Sequence, residues 1–201
     1  MRKSKDYSVP LNDYNNDSLP SGPSLLDRIL SEYTLNIYGI HGLGHWFRVV
    51  DYGFMLGKQN NANLKVVALF GLLHDSKRLD DSVDDRHGIR AARYTKSLVQ
   101  SGLIDVTSEE LNILYEACAG HCSGQVHDDV TIGTCWDADR LDLHRLCREI
   151  DTQLLSTEEA INFATQDTPA FVEPYFDNVA ERLRGDISSR RLDPSIGPYL
   201  S

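Results

Sequence analysis

Between Asn63 and His74 the chain reads LKVVALFGLL, apolar but for one lysine and one glycine. Ten residues are too few to cross a bilayer, which takes about 20, and a segment apolar on nearly every side has to be enclosed by other elements. The spacing predicts a buried central helix over 63–75, so the rest of the chain must supply amphipathic partners for it. The helix leaves the core at His74-Asp75, which puts two ligand-type side chains at the edge of an apolar interior. A histidine at a helix C-terminus is also satisfied by the dipole and solvent, so the doublet alone fits either role.

The partners show as helical apolar spacing. Leu25, Leu26, Ile29, Leu30 and Tyr33 follow Pro23, a residue suited to a first helical turn. A second helix is predicted from about Gly44, with Trp46, Val49, Val50, Phe54 and Leu56 as apolar positions and Gly57 with QNNAN as its stop. RHGIRAARYTKSLVQ is closed by Gly102 at a C′ position, and Thr107 with Glu110 forms a capping box ahead of LNILYEACAGH. A further helix carries CWDADRLDLHRLCREI, Ser156 with Glu159 repeats the capping-box pattern before AINFA, and a last helix spans about 169–184, ended by Gly185. No strand-like alternation and no internal repeat competes, so the predicted class is all-α. One helical domain is expected over 24–185, between a flexible Asn-, Asp-, Ser- and Pro-rich extension over 1–23 and a C-terminal extension over 186–201.

Charge and cysteine content narrow the function classes. Twenty Lys and Arg against thirty Asp and Glu give a net charge of -10 at pH 7, which argues against general attraction to nucleic acid or anionic membranes. An anionic substrate would have to be drawn in by local positive charge. Cys118, Cys122, Cys135 and Cys147 lack the paired CxxC spacing of a structural zinc site and are too few for a disulfide scaffold. A reducing cytoplasm is the expected compartment, since the N-terminus never reaches an apolar core of signal-peptide length and no stretch of about 18 apolar residues occurs.

Several of the seven histidines lie beside acidic residues at predicted helix ends, where separate helices can collect a divalent metal. His41 and His45 are four residues apart, on one face if the helix extends back that far, and His45 is the firmer ligand candidate. Asp137, Asp139 and Asp142 share a predicted helix, and acidic residues at such spacing are more often a solvated face. Taken in order, His41-to-Val49 as HxxxHxxRV, the apolar helix into His74-Asp75, the HGIRAA of His87 to Ala92 and DADRLD together resemble the HD-domain metal-dependent phosphohydrolase superfamily, over about residues 36–150. The resemblance implies that family's helical fold and hydrolysis of a phosphate ester by metal-bound hydroxide. It carries the metal-ligand roles over to His45, His74, Asp75 and Asp139, and leaves Asp137 as a supporting or structural residue.

Neutral imidazoles with carboxylates suit one or two divalent ions, among Mn, Fe, Zn, Ni and Mg. Asp75 is placed to bridge two ions or to orient water. His87 and His121 extend the pattern as second-metal ligands, as acid–base groups for the leaving oxygen, or as ordinary cap histidines. Lys77, Arg78 and Arg140 are the phosphate-binding candidates, and Arg86, Arg90 and Arg93 lie near them in sequence. Arg48 is a candidate for orienting a carboxylate ligand. Cys118 and Cys122 flank His121, but Cys, His and Cys on one helical turn would crowd an ion, so both are read as packing thiols. His127 and His144 match nothing in the pattern and are expected at the surface. The predicted partner is a small phosphorylated substrate, with nucleotides foremost. The chain departs from the HD-domain superfamily's cyclic-dinucleotide branch in having no GYP segment after His121, which weakens what the resemblance would imply for such a substrate. The rival readings are an HD-type di-iron oxygenase, which shares the ligand order, and a non-catalytic nucleotide-binding module.

Overall fold

Asn63 opens the central helix as its position suggests. Its side-chain oxygen accepts the backbone N–H groups of Lys65 and Val66 at 3.1 and 3.2 Å, two of the donors that a helix start leaves over. The computed structural model describes residues 25–165. Within them lie α1 (Leu25–Glu32), α2 (Leu43–Asn60), α3 (Leu64–Leu73), α4 (His87–Gln100), α5 (Ser108–Gly120), α6 (Val130–Leu141) and α7 (Glu158–Thr165), with short 3₁₀ turns at Asp142–Leu146 and Thr152–Leu154 and no strand among the described residues. The all-α class is as expected. Both predicted extensions and the helix expected over 169–184 fall outside the described residues.

α3 is buried from Val66 through Leu73, with α2, α5 and α6 packed around it and α4 laid against α5. α2 and α3 approach closely at Gly71. A Cβ there would sit 2.4 Å from Val50 Cγ2 and 3.1 Å from the Val50 backbone nitrogen. The missing side chain lets the two helices approach, and His74, one turn beyond, is thereby carried up to His45 near the start of α2.

Several boundaries differ from the predicted ones, for local reasons. α2 runs through Gly57 to Asn60 and stops where Asn61 adopts left-handed φ of 62°. A helical glycine costs only about 1 kcal/mol, which packing offsets. The Gly102 prediction holds: Gly102 has φ of 74°, and Gly102 and Leu103 donate to the carbonyls of Val99 and Leu98, each at 3.0 Å. The Thr107–Glu110 capping box is present in both directions. α6, in contrast, starts at Val130 under an Asp129 cap and does not continue to residue 150. After Leu141 it tightens into the 3₁₀ turn, which Cys147 closes at φ of 54°. The second predicted capping box does not form around Ser156. Thr157 accepts from the N–H of Ala160, while the Ser156 hydroxyl accepts from the backbone of His127.

His127, expected at the surface, is half-buried. Its Nδ1 accepts from the N–H of Asp129, and its ring meets Trp136 edge-on at 5.2 Å. His144 is exposed, as expected. No helix among the described residues is long and apolar enough to cross a membrane.

Candidate metal centre

Four donor atoms meet where α2, the end of α3 and α6 converge. His45 Nε2 lies 3.0 Å from His74 Nε2, 3.3 Å from Asp139 Oδ1 and 3.5 Å from Asp75 Oδ2. His74 Nε2 lies 3.7 and 3.8 Å from the same two carboxylate oxygens. Donors about 2.1 Å from a shared ion stand about 3.0–3.4 Å apart, depending on geometry. The separations among His45, His74 and Asp139 therefore suit one ion with little adjustment, with Asp75 Oδ2 alongside, and His45, His74 and Asp75 are buried.

A second cluster adjoins the first through the other oxygen of Asp75. Asp75 Oδ1 is 3.1 Å from His87 Nε2 and 3.7 Å from His121 Nε2, and those two nitrogens are 2.8 Å apart. His87 is the first residue of α4 and His121 caps the end of α5. Gly88 allows that meeting, because a Cβ on it would lie 2.6 Å from the Cys118 carbonyl oxygen. Asp75 thus gives one oxygen to each cluster.

The outward-facing ring nitrogens are equally organised. His45 Nδ1 is 2.7 Å from Asp142 Oδ2, His87 Nδ1 is 2.5 Å from the Asp84 carbonyl, and His121 Nδ1 is 2.8 Å from the Cys118 carbonyl. His74 Nδ1 lies 3.1 Å from the carbonyls of both Phe70 and Gly71. An oxygen acceptor at each Nδ1 holds the proton there and leaves the Nε2 lone pair directed into the cluster, which is the tautomer a metal ligand needs.

Asp142 is a residue whose role the sequence did not reveal. It is buried and accepts from Arg48 Nε at 2.7 Å and Nη2 at 3.0 Å, so Arg48 orients Asp142 and Asp142 orients His45. The carboxylate that Arg48 positions therefore faces the back of His45 and is not among the donors of the cluster. Cys122 is the other. Cys118 packs in the core as expected, but Cys122 Sγ lies 3.0 Å from His87 Nε2 and 3.2 Å from His121 Nε2. Cys122 is therefore not the packing thiol expected: it is exposed, because α5 ends at Gly120 and the chain turns, with Ser123 N–H donating to the Gly120 carbonyl at 2.9 Å.

Charges in the site are strongly coupled. Burial pushes His74 down to about 3, more than its carboxylate neighbours can restore. Burial also opposes charge on His45, but hydrogen bonding to Asp139 and Asp142 outweighs it and raises the ring above its ordinary value. In the same way Asp75 and Cys122 overcome burial to hold His87 at about 9 and His121 well above the ordinary range. Asp75 and Asp139 are lowered, because the surrounding histidines overcome the burial that would raise them. Burial raises the Cys122 thiol less than His121 and His87 lower it, leaving it at about 7. Such proton-sharing between imidazoles and acids is the state that a divalent cation displaces.

The predicted phosphate binders are placed differently from one another. Arg78 Nη1 is 3.1 Å from His87 Nε2 and 3.4 Å from Asp75 Oδ1, inside the second cluster, while its Nε and Nη2 donate to the carbonyls of Asp80 and Ser82. Lys77 pairs with Glu32 at 2.7 Å and lies 3.7 Å above the Tyr94 ring. Arg140 donates to the carbonyls of Leu154 and Gln125, tying two loops together. Arg90 pairs with Asp84, and Arg86 and Arg93 are exposed. His41 precedes α2 and pairs with Asp81 at 3.0 Å, so it does not share a helix face with His45. Asp137 has a structural role, accepting from the backbone of Ser156 and Thr157 and from the Thr157 hydroxyl at 2.7–2.8 Å.

No family model matches the chain, and no curated protein is significantly similar to it. Among solved structures it is similar to a predicted HD superfamily hydrolase from an uncultured Thermotogales bacterium, whose crystal structure was determined at 1.45 Å resolution. The TM-score is 0.55 at 21% sequence identity, over 83% of this chain and 91% of that one. The two share a fold.

Proposed function

We propose that this chain is an HD-superfamily metal-dependent hydrolase of a small phosphate ester, foremost a nucleotide phosphomonoester or phosphodiester. One observation carries the reading: four imidazoles turn Nε2 inward on the carboxylates of Asp75 and Asp139 while each Nδ1 faces an oxygen acceptor. Core histidines with no ligand do not need that shared orientation. The fold shared with the predicted HD superfamily hydrolase and the ordered sequence motifs support it. His45, His74, Asp75 and Asp139 would hold the essential ion, and His87 and His121 a second beside it. A divalent ion there supplies Lewis acidity toward a phosphoryl oxygen and makes neighbouring water easier to deprotonate.

The chain's own groups do the remaining work. Asp75 keeps the two positions in register through its two oxygens. Arg78, held by two carbonyls, presents a fixed guanidinium edge that suits a phosphoryl oxygen whose charge grows during reaction. Its positive charge answers the difficulty of drawing an anion to a chain of net charge -10.

The test combines elemental analysis of protein purified without chelators with phosphate release from a panel of nucleotide mono- and diesters. Metal-dependent release that Asp139→Ala abolishes, with helical circular dichroism retained, is the expected result. Two irons per chain with consumption of O₂ and no phosphate release would replace the reading with an oxygenase. Nucleotide binding without turnover under any metal would replace it with a binding module.

A further inference from the structure

Cys122 turns the second cluster into a mixed donor set. Its Sγ, with the Nε2 atoms of His87 and His121, forms a group in which every pair of donors is 2.8–3.2 Å apart. Asp75 Oδ1 lies beside the set, at 3.1 Å from His87 and 3.7 Å from His121. Two imidazoles, a thiolate and a carboxylate are the donor types of a tetrahedral zinc site, and zinc–sulfur bonds of about 2.3 Å are slightly longer than zinc–nitrogen bonds. The first cluster, by contrast, has only nitrogen and oxygen donors. Arg78 Nη1 lies against His87 and Asp75, and its bonds to the carbonyls of Asp80 and Ser82 hold the guanidinium from the loop side.

We propose that Cys122 is a metal ligand, and that with His87, His121 and Asp75 it makes the second position selective for a thiophilic divalent ion over Mg²⁺. The two positions then differ in kind, one soft and one harder, although Asp75 joins them. Binding exchanges the sulfur's proton for the ion: the S–H bond breaks, a sulfur–metal bond forms and the proton goes to solvent, with no change of oxidation state. The inference deepens the metal-centre reading but requires neither phosphate chemistry nor any particular substrate.

Co²⁺ is the probe, because a cobalt–thiolate bond absorbs intensely in the near ultraviolet and cobalt bound by nitrogen and oxygen does not. Full-length chain, stripped and titrated with Co²⁺, is expected to develop that charge-transfer absorption as the second position fills. Cys122→Ser should lose the absorption, keep helical circular dichroism and bind the second ion weaker by at least about 10–100-fold, the loss that even an outer partner produces. Cys147→Ser, at the other exposed cysteine, should keep it. In parallel, Zn²⁺ should slow iodoacetamide labelling of Cys122 and leave Cys147 labelling unchanged. Two cobalt ions per chain without the absorption, or absorption that survives Cys122→Ser, would overturn the assignment while leaving the hydrolase reading intact. Thiolate absorption together with a failed phosphate-release panel would uphold the ligand and overturn the hydrolase. No cobalt binding would overturn both.

Discussion

Replacing Asp142 by asparagine separates a ligand from the residue that orients it. Asp142 touches no predicted metal position; it meets His45 Nδ1 at 2.7 Å and is held by Arg48 and by Arg145 at 3.3 Å. Oδ2 serves His45, Arg48 Nη2 and Arg145 together while Oδ1 accepts from Arg48 Nε, so an asparagine of the same shape must turn its NH₂ either toward Arg48 Nε, losing that bond and the negative charge, or toward the shared position, losing His45 as well. If His45 is less firmly fixed, the first metal position should weaken by about 10–100-fold, or about 1.4–2.7 kcal/mol. Stability should fall as well. Breaking a buried ion pair costs about 3–5 kcal/mol, and the lower end applies because Arg48 and Arg145 keep partial access to water. At about 3 °C per kcal/mol for a chain this long, the melting temperature should drop by about 10 °C. Chelator competition measures the affinity and thermal unfolding the stability, while the His87–His121 position serves as an internal control. A variant with wild-type affinity at the first position and wild-type melting would refute the idea that Asp142 organises His45.

Other consequences are as direct. Gly88→Ala drives a methyl group into the Cys118 carbonyl and His121, at 2.6 and 3.2 Å; a cost of about 1–3 kcal/mol and loss of the second ion are expected, and unchanged metal stoichiometry would count against the close α4–α5 approach. In the metal-free chain His87 is raised to about 9 from an ordinary 6.5, so its contribution to stability is complete below about pH 6.5 and is lost as pH rises through 9. Metal must displace that same proton, and apparent affinity at the second position should climb about tenfold per pH unit per proton up to about pH 9; a flat profile in chelator competition would rule this out. His127→Ala should leave phosphate release unchanged yet lose about 1 kcal/mol of stability through the Asp129 hydrogen bond and the Trp136 contact, which chemical denaturation would reveal.

The helix pattern was legible because burial follows periodicity: α3 is as enclosed as its apolar run implies, and Thr107 and Gly102 act as their local chemistry dictates. His45, His74, Asp75 and Asp139 come together as their ordered motifs suggested, with His87 and His121 beside them. Asp142 was hidden for a physical reason. Nothing in DADRLD distinguishes a carboxylate that faces an ion from one that faces the back of a histidine, and only the helical phase relative to α2 decides it. Cys122 reads as a packing thiol in sequence, whereas the turn after Gly120 leaves it exposed and swings its sulfur toward α4. The loop cations were equally out of reach, since whether Lys77 meets Glu32 or a ligand depends on where α1 lies.

The donors of this centre come from five separate helices or their ends: α2, α3, α4, α5 and α6. Ions seated there would brace the bundle as rivets do, joining His45 to Asp139 across most of the described chain. Unfolding must release them, so free metal at about 100 times its dissociation constant adds about 2.7 kcal/mol to the folded state. Metal scarcity would then act twice, by emptying the site and by raising the fraction of chains open to proteolysis, so that the amount of this protein in a cell would follow metal supply.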